Sequence, residues 1–205
     1  MTATLTPAEQ SAANLVLHFA PLLKYFSEQD FFDFCMLNFR DSRIELTPAG
    51  DLIIMAPTGW KTGVRNFQMI TDFGVWVKQD GTGKGSDSST AFALPNGAKR
   101  SPDMSWVRNE RWEALTKEEQ DRFPPLCPDF VMELRSTSDS LRPLQEKMQE
   151  YMENGAQLGW LIDPFERKVY IYRPQAGVEC LDNPASVSGE PLLRGFVLDV
   201  QSLWE

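Results

Sequence analysis

The feature that most constrains the fold is a residue pattern typical of a strand, which is followed by a short turn and then by a pattern typical of a helix. Residues 129–135 alternate, in their second half, between apolar and charged side chains, which is the period of two that a strand requires. After a polar turn at residues 136–140, residues 141–153 carry apolar side chains at helical spacing, and Asn154-Gly155 predicts where this helix ends. Such a unit favours a sheet that is covered by helices.

The rest of the chain adds further strands with helices between them. Three glycines, Gly81, Gly83 and Gly85, match no phosphate-binding pattern and predict a loop. We therefore predict an α/β or α+β fold with one mixed central sheet flanked by helices. The predicted strands lie at residues 43–47, 52–55, 89–94, 101–107, 158–163, 168–172 and 196–200 and near Cys180, and the predicted helices at residues 64–78 and 110–122.

The N-terminal part of the chain is predicted to be helical. Residues 7–37 suggest two helices, because Val16, Phe19 and Leu23 recur at helical spacing in the first and Ser27 is a suitable N-cap for the second. We expect a helical extension at residues 1–40, packed on a core domain at residues 41–205.

Composition limits the classes of function. The chain has 205 residues, 42% of them hydrophobic, which fits one folded domain with or without an extension. No apolar run is long enough for a membrane span, so we expect a cytoplasmic protein without a membrane partner. The net charge of −9 counts against a protein that holds nucleic acid on a basic face. It does not exclude a metal site, which must be acidic before its cation binds.

Two carboxylates are the candidate catalytic groups. Asp103 follows Pro102 near one predicted strand, and Glu133 lies on the strand at residues 129–135. If these strands are neighbours, both carboxylates and the main-chain carbonyl of Leu134 converge on one position. Mg²⁺ accepts such a partial shell of oxygen ligands and keeps water molecules for chemistry.

Two cations are candidates to assist these carboxylates. Lys147 lies at the border of the apolar face of the helix at residues 141–153, where it can reach a carboxylate on the preceding strand. Arg135 lies two residues after Glu133, but an arginine cannot act as a base. We favour Lys147 as the catalytic cation and Arg135 as its helper. A serine or cysteine hydrolase is disfavoured, because the single histidine, His18, lies far from these residues in the sequence.

These residues together closely resemble the Uma family of bacterial endonucleases, which is assigned to the PD-(D/E)XK nuclease superfamily. The resemblance extends over residues 43–200 and implies a mixed sheet flanked by helices, a DNA substrate and Mg²⁺ or Mn²⁺ as cofactor. It implies that Asp103 and Glu133 bind metal, that Lys147 is the motif lysine moved to a helix, and that Glu45 completes the site. The residues that carry the resemblance are 53–59, 101–103, 127–136, Lys147, Tyr151, Asn154-Gly155 and 160–164.

The sequence departs from the family pattern at two positions. Arg135 stands where the motif has lysine, and Gln68 stands where similar sequences often carry glutamate. These departures and the acidic charge leave an alternative open, a nuclease-like fold that serves as a binding or assembly module without catalysis. By analogy with enzymes that cut both strands of DNA, we also expect a homodimer, with the aromatic hairpin of Trp160, Tyr170 and Tyr172 as a candidate interface.

Overall fold

Strands and helices alternate along the chain in the computed structural model, which describes residues 14–39 and 42–204. The strands are β1 (Leu15–His18), β2 (Arg43–Leu46), β3 (Asp51–Met55), β4 (Gly83–Asp87), β5 (Phe92–Ala93), β6 (Lys99–Arg100), β7 (Met104–Arg108), β8 (Phe130–Leu134), β9 (Leu158–Asp163), β10 (Lys168–Tyr172), β11 (Glu179–Asp182), β12 (Ser186–Ser188) and β13 (Val197–Asp199). The α-helices are α1 (Ala20–Leu23), α2 (Glu28–Asn38), α3 (Trp60–Asp80), α4 (Asn109–Glu113), α5 (Lys117–Gln120) and α6 (Leu141–Glu153).

A six-stranded mixed sheet forms the centre of the fold. Its strand order is β11-β10-β9-β8-β7-β4, and only β8 and β9 among these neighbours run parallel. A parallel pair needs a crossover connection, and α6 supplies it. Phe73 of α3 packs with Phe130 on one face of the sheet, whereas Met148 of α6 packs with Val131 on the other. The strand and helix predicted at residues 129–153 are therefore confirmed.

A second, antiparallel sheet carries the N-terminal strands. Its strand order is β1-β3-β2-β6-β5. Because β6 belongs to this sheet and β7 to the central one, residues 101–103 pass directly from one sheet to the other. This short connection brings β2 close to the end of β8.

The prediction of the first N-terminal helix is wrong for those of its residues that the structure describes. Residues Leu15–His18 form β1, which pairs with β3, and only the short helix α1 follows. Pairing with a strand that lies far along the chain overrides the helical spacing. The second helix is confirmed as α2, with Ser27 accepting a 3.1 Å hydrogen bond from the backbone N–H of Asp30. The predicted domain boundary at residue 40 stays a prediction, and residues 7–13 of the first helix lie outside the described residues.

The glycine-rich loop is also different from the prediction. Gly81 ends α3 in the left-handed conformation with φ of 66°, but Gly83 and Gly85 lie on β4 at the edge of the central sheet. A Cβ atom on Gly83 would lie 2.3 Å from the ring of Trp106, so the backbone approaches this ring more closely than a side chain permits. Among the described residues, no helix combines the length and apolar character that crossing a membrane requires.

Candidate active site

The two predicted carboxylates lie side by side at one end of β8. Asp103 lies in the bend before β7, and its Oδ2 accepts a 2.8 Å hydrogen bond from the backbone N–H of Leu134. This bond continues the pairing of β7 with β8 beyond its last ladder position, Met104 with Met132. Both Asp103 and Glu133 are buried. The structure therefore brings these two carboxylates together, as the strand pattern predicts.

Lys147 reaches the same place from α6. Its Nζ atom lies 2.7 Å from Oε1 of Glu133 and 2.6 Å from Oε1 of Glu45 on β2. Burial favours the neutral amine, but the two carboxylates outweigh it and raise the pKa of Lys147 above its ordinary value. These contacts favour Lys147 as a protonated cation that donates hydrogen bonds to both carboxylates.

Arg43 is a further cation of the cluster that the sequence reasoning missed. Its Nη1 donates a 2.7 Å hydrogen bond to Oδ1 of Asp103, and its Nη2 lies 3.9 Å from Oε2 of Glu133. The same guanidinium donates to the main-chain carbonyl of Ser101. A signal for it was present, because Arg43 lies two residues before Glu45 and so shares its face of β2.

Glu45 is surrounded by positive groups and N–H donors. Besides Lys147, its Oε1 accepts a 3.1 Å hydrogen bond from the backbone N–H of Ser101, and its Oε2 lies 3.0 Å from Arg100. Burial would raise the pKa of Glu45, but Lys147, Arg100 and Arg43 together lower it. These contacts favour a role in holding the cations, and the predicted metal-binding role of Glu45 stays a prediction.

Glu133 has the opposite electrostatic balance. Burial raises its pKa to about 7, and the neighbouring charge of Asp103 acts in the same direction against the opposing effect of Lys147. The hydroxyl of Tyr151 donates a 3.1 Å hydrogen bond to Oε1 of Glu133, the oxygen that also contacts Lys147. Among the described residues, its other oxygen, Oε2, has no charged contact besides the 3.9 Å contact with Arg43.

Arg135 and Gln68 do not join the cluster. Arg135 lies beyond the last residue of β8, where strand alternation no longer applies, and its Nη1 contacts Oδ2 of Asp163 at 2.7 Å. Its Nε donates to the main-chain carbonyl of Asp139. Gln68 is exposed on α3, with no hydrogen bond to any group of the described residues. The helper role of Arg135 stays a prediction.

The oxygen atoms of the cluster fit a partial metal shell. Oδ1 of Asp103 and Oε2 of Glu133 both lie beside the guanidinium of Arg43. The space next to these two oxygens is therefore favourable for a positive charge. Hard carboxylate oxygens suit Mg²⁺ and Mn²⁺. Within residues 14–39 and 42–204, no group of three or more His, Cys, Asp or Glu lies in an arrangement that could hold a metal ion, so the protein side chains supply two carboxylates at most. The carbonyl of Leu134 as a further ligand stays a prediction.

Comparison with known proteins agrees with the fold. Residues 28–201 match the profile of the Uma2 family, which is described as "Putative restriction endonuclease". The crystal structure of a putative nuclease belonging to DUF820 from Anabaena variabilis ATCC 29413 is similar with a TM-score of 0.66 and 22% identity, over 78% of this chain and 89% of that chain. No curated protein matches the sequence. The predicted restriction-endonuclease-like fold, a mixed sheet flanked by helices, is confirmed.

Proposed function

The chain belongs to the Uma2 family, described as putative restriction endonucleases, and from this membership we propose that it is a metal-dependent endonuclease that hydrolyses DNA phosphodiester bonds. One observation carries the proposal. Two buried carboxylates, Asp103 and Glu133, each have one oxygen beside the guanidinium of Arg43, while Lys147 contacts Glu133 at 2.7 Å. This combination of an acidic pair and a protonated lysine suits hydrolysis of a phosphodiester.

In this mechanism, the carboxylates of Asp103 and Glu133 would hold Mg²⁺ or Mn²⁺. When bound, the metal supplies Lewis acidity toward the phosphate and lowers the pKa of water. Lys147 stays protonated, so its ammonium orients the attacking water by a hydrogen bond or stabilises the negative charge that develops on the phosphate. Glu45 keeps this ammonium in place through its 2.6 Å contact.

A second candidate function is a binding or assembly module on the same fold. The observation that favours it is the balance of charge within the cluster. Each of the three carboxylates, those of Glu45, Asp103 and Glu133, already has a cationic partner among Arg43, Arg100 and Lys147, and Arg100 is shared with Glu150. A site that is already neutralised attracts a divalent cation less strongly than an unpaired acidic pair does.

The two functions are separated by a cleavage assay on plasmid DNA and on single-stranded DNA with Mg²⁺ or Mn²⁺. We expect the wild-type protein to cut and EDTA to stop it. Glu133→Gln keeps the side-chain shape but lowers ligand charge, so it should reduce the cleavage rate at least a hundredfold. Glu150→Gln is the matched control, because Glu150 contacts Arg100 at 2.6 Å at the periphery of the cluster, and it should keep most of the activity.

The outcome decides between the candidates. Cleavage that persists in Glu133→Gln, or in EDTA, contradicts the proposed mechanism. Absence of cleavage in the wild type, together with no heat of Mn²⁺ binding in calorimetry, supports the module without catalysis.

We also propose a homodimer, because two copies supply one site for each strand of duplex DNA. The prediction that the aromatic hairpin forms the dimer interface is wrong in part, because Trp160 and Tyr172 are buried within the protein. The exposed side chains of α3 are better placed, with Trp60 at 84% and Phe67 at 71% exposure on one helix face. Light scattering on the wild type and on Trp60→Ser/Phe67→Ser tests this, and a monomeric wild type contradicts it.

A further inference from the structure

Arg43 occupies the space between the two carboxylates that are proposed to bind metal. Its Nη1 is 2.7 Å from Oδ1 of Asp103, and its Nη2 is 3.9 Å from Oε2 of Glu133. Within the part of the chain that the structure describes, neither of these two oxygens has another cationic partner. A metal ion held by both oxygens would therefore meet the guanidinium directly.

The cluster needs a positive charge at this position when no metal is bound. Asp103 and Glu133 are both buried, and one guanidinium reaches both of them. Among the contacts of the described residues, Lys147 reaches Oε1 of Glu133 and no oxygen of Asp103, so this side of the acidic pair depends on another cation. Arg43 supplies that positive charge through its two Nη atoms.

The position of Arg43 also allows it to leave. About a quarter of its side chain is exposed, at 26%, whereas the side chain of Lys147 is 10% exposed. Its Nε atom is buried and has no hydrogen-bond partner among the residues described. Departure of the side chain therefore breaks the hydrogen bonds of the two Nη atoms, to Asp103 and to the main-chain carbonyl of Ser101, but none at Nε.

We propose that Arg43 is an internal counter-ion that takes the place of the metal in the metal-free protein and must move away before the metal binds. The proposal rests on the proposed metal-dependent function of the same site. Two cations at one position repel each other, so each excludes the other. Once released from Asp103, the guanidinium is a two-pronged donor that suits the oxygens of a phosphate group.

The test is calorimetric titration of the full chain with Mn²⁺, without DNA. Arg43→Gln removes the competing charge and should bind Mn²⁺ at least ten times more tightly than the wild type. The rise in melting temperature that saturating Mn²⁺ produces should also be larger in Arg43→Gln. Arg135→Gln is the matched control, because it removes an arginine that is paired with Asp163 outside the cluster, and its Mn²⁺ affinity should equal that of the wild type.

Arg43→Lys keeps the proposal testable if Arg43→Gln does not fold. A lysine keeps one charge but cannot contact Asp103 and Glu133 with two separate nitrogens, so its Mn²⁺ affinity should lie between those of the other two proteins. Equal or weaker binding in both Arg43 variants, or no Mn²⁺ binding in any of the proteins, overturns the proposal. Failure of the nuclease proposal is recognised separately, as Mn²⁺ binding without cleavage by the wild type.

Discussion

Lys147 lies 102 residues after Glu45 in the chain, yet its ammonium donates a 2.6 Å hydrogen bond to Oε1 of that carboxylate. The same ammonium lies 2.7 Å from Glu133, so one side chain of α6 joins both sheets. These two ion pairs therefore connect the N-terminal sheet to the central sheet at the candidate site.

Replacement of Lys147 by methionine is expected to destabilise the fold. Met keeps much of the apolar stem but removes the charge, which leaves Glu45 and Glu133 buried with less compensation. Loss of one partner of a buried ion pair costs about 3–5 kcal/mol. The free energy of unfolding from urea titration should fall by this amount, and by much less in the control Lys61→Met, whose side chain is exposed on α3. A loss in Lys147→Met as small as in that control contradicts the described contacts.

Replacement of Arg135 by glutamine is expected to affect stability but not metal binding. Asp163 is fully buried, and Arg135 supplies its ion pair, while backbone N–H groups of Phe165 and Glu166 donate to its other oxygen. Because those two hydrogen bonds remain, we expect a loss of about 2–3 kcal/mol in the free energy of unfolding. Reduced Mn²⁺ affinity in Arg135→Gln, measured by calorimetry, would instead assign Arg135 the helper role predicted from the sequence.

The metal-free protein is expected to lose stability as the pH rises from about 4.5 to about 7. Burial and the charge of Asp103 raise the pKa of Glu133 from 4.5 to about 7, so the folded protein holds a proton that the unfolded chain has released. The contribution of this bound proton to the free energy of unfolding is complete below pH 4.5 and is lost as the pH passes about 7. Between these two values the free energy of unfolding falls by up to about 1.4 kcal/mol per pH unit. Urea unfolding across this range checks it. In Glu133→Gln the fall in the free energy of unfolding between pH 4.5 and pH 7 should be smaller by this contribution. The same pH dependence in both proteins contradicts a raised pKa of Glu133.

Two glycines are expected to respond to alanine in opposite directions. In Gly83→Ala the new Cβ would meet the rigid ring of Trp106 at 2.3 Å, and such overpacking costs about 1–3 kcal/mol or more. In Gly74→Ala the new Cβ meets nothing within 4 Å on α3, and helix propensity favours alanine by about 0.5–1 kcal/mol. Thermal unfolding should show a lower melting temperature for the first and a higher one for the second, and the same sign for both would contradict this account.

Part of the candidate site could be predicted from the sequence because it depends on local periodicity. The strand and helix at residues 129–153 fix which way Glu133 faces and place Lys147 at the border of an apolar helix face. These two facts are independent of the rest of the fold. The resemblance to a known family then added Glu45, which lies too far along the chain for a spacing argument.

The other parts of the site and of the fold depend on contacts between segments that are distant in the sequence. Arg43 reaches Asp103 and Glu133 because β2 lies beside the connection from β6 to β7. Its spacing from Glu45 places both on one face of β2, but this local pattern does not show that the face meets the end of β8. Strand alternation could not place the side chain of Arg135, because β8 ends one residue earlier, at Leu134, and its helper role stays a prediction. β1 became a strand through its pairing with β3, against its own helical spacing.

The wide separation of the cluster along the chain has a consequence during protein synthesis. A nascent chain that has not yet emerged from the ribosome past residue 147 lacks the lysine that joins Glu45 to Glu133. Its acidic groups cannot reach their final arrangement, because these long-range contacts form only when both segments are available. The contacts of the proposed site would thus be completed only as α6 docks on the sheet.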